Sequence, residues 1–198
     1  TGVQTCALPI LNNWLLVLSV LSCFGCSSPV HEDDRGCAFV SDSIQYRVEF
    51  MSAGCVRILS FPEGDTLVTR RLVVDSEKPA FKDYKWEDTG QKLLFRTREL
   101  SVVFDKADVA FTFQETSTGK LLLKEKGDRK ARNFKRSVAG GEQCLEVTQR
   151  FVPTEDEAIY GLGQYQNGIM NYRGKSVLLL QANMDIVNPF LISTRSEE

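Results

Sequence analysis

The stretch LLFRTRELSVVFDKADVAFTFQ, residues 93–114, decides the fold by its punctuation. Within it, 93–97 (LLFRT), 100–104 (LSVVF) and 107–114 (ADVAFTFQ) partly alternate apolar with polar residues and are rich in β-branched and aromatic side chains. Such residues suit a pleated, half-buried surface, and a period of two sends one set of side chains toward a core. Each run therefore reads as a strand. The same pattern continues outward in 120–124 (KLLLK), 44–50 (IQYRVEF) and 55–61 (CVRILSF). Turn formers separate the runs: Ser52-Ala53-Gly54, Pro62-Glu63-Gly64-Asp65, Glu87-Asp88-Thr89-Gly90 and Ser117-Thr118-Gly119. Short strands and turns at this spacing predict an all-β sandwich. No window after residue 26 holds a clean helical stripe, which disfavours a doubly wound α/β fold.

Bulk composition narrows the function classes. With 198 residues the chain has room for one sizeable domain and a leader, and 42% apolar with 25% charged residues is ordinary for a packed globular protein. Lys+Arg 24 against Asp+Glu 26 gives a formal charge of -2, so no basic footprint for nucleic acid is present. The segment 127–141 (GDRKARNFKRSVAGG) gathers basic residues around the single aromatic Phe134, and reads as a solvated hairpin loop. The only histidine, His31, lies in a polar stretch. A His-based metal site, a Ser-His-Asp triad and a Cys-His pair therefore cannot be assembled in the folded part. No CxxC pair offers a zinc site, and no metal or organic cofactor is expected.

The N-terminal region reads as an export leader. Residues 11–26 (LNNWLLVLSVLSCFGC) hold an apolar run from Trp14 to Leu21 that ends in small residues and cysteine, about half the length needed to cross a bilayer. Cys26 after Gly25 resembles the lipobox cysteine of bacterial lipoproteins, with Cys23 as the alternative and plain secretory cleavage near Gly25 as another. An exported protein of the periplasm or the outer-membrane or cell surface is expected, touching membrane only through a lipid anchor. Residues 1–10 and 195–198 resemble translated sequencing adapters and are expected to be non-native tails. That leaves 27–36 as a linker and 37–194 as the domain. Of the six cysteines, Cys37, Cys55 and Cys144 fall in that domain. A Cys37–Cys55 disulfide and buried free thiols both stay open.

Past 144–152 (CLEVTQRFV) comes the most distinctive passage, EAIYGLGQ at 157–164, in which Gly161 and Gly163 flank Leu162 and permit a sharp backbone excursion. Gly168 and Gly174 then bracket Asn171-Tyr172-Arg173, and Pro189 breaks the run 178–190. Together with NGIMNYRGKSVLLLQANMDIVNPF at 167–190 and LIST at 191–194, this passage resembles the end of the N-terminal domain of glycoside hydrolase family 31. It looks most similar to the bacterial α-xylosidase and α-glucosidase members. The resemblance is specific over 157–194 and loose over 38–152, where only the strand rhythm matches a galactose-mutarotase-like sandwich.

The resemblance implies a retaining α-glycosidase whose two catalytic aspartates sit in a downstream (β/α)₈ barrel of the same polypeptide. In such a mechanism the two carboxyl groups stand roughly 5–5.5 Å apart across the scissile bond. Within this chain Asp33-Asp34 and Glu87-Asp88 are sequence neighbours, which in extended backbone point to opposite faces. Glu155, Asp156 and Glu157 read as a solvated turn. No catalytic residue is assigned, and the chain alone is expected to be inactive. The resemblance further implies a loop that reaches an α-linked oligosaccharide on its leaving-group side. Asn183 and Asp185, and more weakly Gln181, are the expected sugar ligands, because each matched hydroxyl discriminates strongly when its loss leaves polar groups unpaired. The alternative is that these groups satisfy backbone at a domain junction. Gly161 and Gly163 are expected to shape backbone, and Tyr172 and Arg173 to pack against the barrel. Two other functions stay open: a free-standing carbohydrate-binding lipoprotein module, and a purely structural domain that docks the barrel.

Overall fold

The computed structural model describes residues 29–64, 80–127 and 134–196. Thirteen strands and one short 3-10 helix make up its regular structure, as the turn-punctuated sequence predicts. A four-stranded antiparallel sheet runs β1 (His31–Glu32), β2 (Cys37–Ser41), β3 (Ile44–Ser52) and β4 (Cys55–Pro62), in that order. A five-stranded antiparallel sheet runs β5 (Lys85–Asp88), β6 (Lys92–Arg96), β7 (Leu100–Asp105), β8 (Ala110–Glu115) and β9 (Leu121–Lys124). Every connection joins sequence neighbours, as expected of strands joined by tight turns.

The two sheets face each other across an aromatic core. In β3 the alternate residues Ile44, Tyr46, Val48 and Phe50 are buried, and from the other sheet Leu93, Phe95, Val102, Phe104 and Phe111 meet them. Phe39 lies 4.8 Å from Phe104 between ring centres, Tyr46 lies 5.2 Å from Phe104, and Phe104 lies 4.9 Å from Phe111, all tilted. Tilted aromatic pairs at these separations contribute beyond their buried area. Two buried polar groups, Thr97 and Glu125, tie segments of the fold together. Thr97 Oγ1 donates to the Ala53 carbonyl at 2.5 Å, tying the β6–β7 turn to the β3–β4 turn. Glu125 accepts from the Phe111 amide and from Gln149 Nε2, both at 2.7 Å, which tethers the chain after β9 to β8. Each is a buried polar group with its hydrogen bonds supplied, as packing requires.

Residues 31–36, read from sequence within a polar stretch, are pinned to the sandwich. Glu32 accepts from Tyr84 Oη at 3.0 Å and from Trp86 Nε1 at 2.8 Å, while Asp34 meets Lys82 at 3.1 Å. Asp33 takes both arms of Arg47, at 2.9 and 2.6 Å. The Arg47 guanidinium beside it holds the Asp33 carboxyl down to about 2. Beneath Tyr84 lies the buried Cys37, whose thiol burial pushes up to about 11. Cys37, Cys55 and Cys144 are all free, and the last two are exposed.

Two hairpins come after the sandwich: β10 (Lys135–Ala139) with β11 (Glu142–Glu146), and β12 (Ile159–Gln164) with β13 (Ile186–Ser193). The first occupies the end of the basic segment and is exposed along almost its whole length. A 3-10 turn, Thr194–Ser196, ends the regular structure.

Candidate functional site

The β12–β13 hairpin brings the distinctive passage into one place. Its ladder shifts register between Gly161 and Gly163, with Leu162 bulged out at a φ of 67°. A bulge bends the strand and re-aims the residues beyond it. The glycines are required by approach as well as by conformation. A Cβ on Gly161 would meet the Phe190 carbonyl oxygen at 2.6 Å, and one on Gly163 would overlap the Ile186 carbonyl oxygen. Both also hold positive φ, 97° and 119°. The expectation that they shape backbone is met by this geometry.

A polar knot braces the far end of the hairpin. Glu157 is only 7% exposed, accepts from the Thr154 amide at 2.9 Å and from the Ser193 hydroxyl at 2.6 Å, and so is not part of a solvated turn. Glu155 and Asp156 are exposed as expected. Burial raises the Glu157 pKa, but the Ser193 and Thr154 hydrogen bonds with the Arg195 and Arg173 charges overcome it and hold the carboxyl below its ordinary range. Arg173 Nη1 donates to the carbonyls of Thr154 and of Glu157, the latter at 2.7 Å. Asn171 Oδ1 accepts from the Ile159 amide at 3.1 Å, and Tyr172 is buried with its ring edge-on to Tyr165. Tyr172 and Arg173, expected from sequence to pack against the barrel, make contacts within this domain. Nothing in the sequence marked Glu157 as buried, because its partners Ser193 and Arg173 lie 36 and 16 residues away.

At the near end, the turn 182–185 precedes β13. Ala182 and Asp185 form an isolated antiparallel bridge, with Asn183 and Met184 at the tip and Met184 at a φ of 71°. Asn183 is exposed and Asp185 half-buried, so one turn carries both an amide and a carboxylate, two positions apart in sequence. Gln181 differs. Its Nε2 donates to the Asp185 carbonyl at 2.9 Å and its Oε1 accepts from the Val187 amide at 3.1 Å, so it is engaged with backbone. Around the turn many large apolar side chains are uncovered, including Met170, Leu178, Leu180, Met184, Ile186 and Phe190. Exposed large apolar side chains gathered in one passage of sequence make it a candidate interaction surface. Among the described residues no group of three or more His, Cys, Asp or Glu side chains could hold a metal. Cys26, the expected lipidation site, lies outside the described residues.

Three comparisons bear on this arrangement. Residues 45–195 match the glycosyl hydrolase 31 N-terminal galactose mutarotase-like domain. An α-xylosidase of Saccharolobus solfataricus is 30% identical over 168 residues, an alignment that covers 77% of this chain and 21% of that enzyme. The chain thus spans about a fifth of the curated relative's length. The crystal structure of a family 31 α-xylosidase from Xanthomonas citri superposes with a TM-score of 0.69 at 29% identity, covering 84% of this chain and 18% of that one. A family 31 α-xylosidase from a soil metagenome, crystallised with xylose, superposes with a TM-score of 0.62 at 23% identity, covering 85% and 27%, and shows the shared fold.

Proposed function

The chain belongs to glycoside hydrolase family 31, as its N-terminal galactose mutarotase-like domain, and from that premise we propose that it shapes the substrate site of a retaining α-glycosidase of the α-xylosidase type. The observation that carries the reading is the turn 182–185, which holds Asn183 and Asp185 at one end of a hairpin braced at both ends. An amide can donate to and accept from sugar hydroxyls and a carboxylate can accept from them, so one turn carrying both suits a hydroxyl-rich ligand. The bond-breaking carboxylates belong to another part of the polypeptide, against which the uncovered face of Met170, Leu178, Leu180 and Phe190 docks. The α-xylosidase relatives at 30% and 29% identity favour xylose over glucose as the sugar released. The leader-like run 14–21 supports export as a periplasmic or surface lipoprotein anchored through Cys26.

The experiment is proton NMR of the first-formed sugar when the complete polypeptide acts on an α-xyloside and an α-glucoside. Initial release of α-xylose, with the glucoside cleaved more slowly, is expected. Initial release of the β anomer, or no hydrolysis of either, would overturn the reading. A purely structural role has one observation in its favour, the use of both Gln181 polar groups within the backbone. It predicts that Asn183 and Asp185 can be replaced without altering KM.

A further inference from the structure

Gln181 stands immediately before the turn and spends both ends of its carboxamide on the turn's exit. Donation to the Asp185 carbonyl at 2.9 Å and acceptance from the Val187 amide at 3.1 Å reproduce, from a side chain, the paired bonds that a neighbouring strand would make. On its far side the turn runs straight into the ladder, where Ile186 pairs with Gln164 and Val187 with Gly163. Across it the Asp185 amide reaches the Ala182 carbonyl at 3.3 Å, and Met184 sits in the left-handed region at 71°. A non-glycine residue there persists only where its surroundings over-determine it. Met184 is exposed, so packing does not supply the constraint. The Gln181 bonds, together with the adjoining ladder, are what brace it.

We infer that Gln181 is a positioning residue that fixes the directions of Asn183 and Asp185, rather than a third sugar ligand. The inference rests on the reading that those two residues face the substrate. Losing the clamp frees the turn to sample other conformers, and a binding-competent conformer populated a fraction of the time weakens apparent affinity by that fraction. Two modest hydrogen bonds correspond to about a tenfold change in that population. The turn carries no group assigned to attack or protonate the anomeric carbon, so kcat is expected to hold.

The test uses the complete polypeptide with Gln181→Met, which keeps length and removes both bonds, and Gln181→Glu, which keeps only the acceptor for Val187. Two quantities are read: deuterium uptake in the peptide spanning 181–190, and the KM and kcat for an α-xyloside. Gln181→Met is expected to speed uptake and to raise KM about tenfold, with kcat within about twofold and the melting temperature nearly unchanged. Gln181→Glu is expected to recover part of both effects. Unchanged uptake in Gln181→Met would overturn the clamp. Faster uptake with unchanged KM, while Asn183→Ala raises KM, would overturn the positioning role and leave the sugar contact standing. If Asn183→Ala and Asp185→Ala both leave KM unchanged, the sugar contact fails and the positioning role with it, whatever the uptake shows.

Discussion

The sandwich and the β12–β13 hairpin are built from similar residues and solve opposite problems. In the sandwich, Phe39, Tyr46, Phe95, Phe104 and Phe111 are buried against one another, and the buried polar groups Thr97 and Glu125 have their hydrogen bonds inside the domain. In the hairpin, Ile186, Phe190 and Leu191 lie on the surface, and cohesion comes from glycine-permitted strand approach and from the Glu157, Arg173 and Gln181 ties. A region held by apolar burial loses most when a large side chain is cut. A region held by backbone fit loses most when a Cβ is added.

That difference can be broken at four points, in falling order of effect. Phe104 is fully buried and touches three aromatic rings, so Phe104→Ala should cost about 3–5 kcal/mol in urea unfolding followed by tryptophan fluorescence. A loss under about 1 kcal/mol would mean that the core is not closed as described. Gly163→Ala adds a Cβ onto the Ile186 carbonyl at a φ of 119°, and should cost about 1–3 kcal/mol, concentrated in the hairpin. Amide exchange across Ile186–Ser193 would then rise while Leu100–Asp105 stays protected.

The third point is the Asp33–Arg47 pair. The folded Asp33 carboxyl lies at about 2 against an ordinary 3.8, so its stabilisation is complete above pH 3.8 and is lost as pH falls toward 2. Arg47→Met should remove about 1 kcal/mol at pH 7, a figure kept small because the pair is partly exposed, and the variant's deficit should shrink as pH falls from 3.8 and vanish only below the folded value of about 2. A deficit independent of pH would assign Arg47 to packing alone. The smallest effect is expected at Leu178, which is 77% exposed: Leu178→Ser should change the stability of this chain by under about 0.5 kcal/mol. A larger cost would show that the face is already covered.

Legibility in the sequence divides along the same line. The predicted strands 44–50, 93–97 and 100–104 reappear as Ile44–Ser52, Lys92–Arg96 and Leu100–Asp105, because alternating burial writes itself into alternating residue type. The predicted run 107–114 begins only at Ala110, since Asp105 Oδ1 accepts from the amides of Ala107 and Asp108 and turns the chain. Strand β5 was hidden because Glu87-Asp88 reads as a turn, yet Lys85–Asp88 pairs with β6 at the sheet edge, where polar side chains face water. The hairpin β10–β11 was hidden for a similar reason, both its faces being exposed. At the candidate site, the resemblance nominated Asn183 and Asp185 as sugar ligands, which remains a proposal, and the role of the glycines was legible in their spacing. Gln181 and Glu157 were not, because their work is set by partners that only the folded hairpin brings near.

Hydrogen exchange on the 198-residue chain and on the complete polypeptide tests most directly whether the sandwich stands alone and the hairpin waits for a neighbour. The strands Ile44–Ser52 and Leu100–Asp105 should exchange slowly in both, while Ile186–Ser193 should exchange quickly in the shorter chain and slowly in the complete polypeptide. Equal protection of Ile186–Ser193 in the two, whether high or low, would contradict the account.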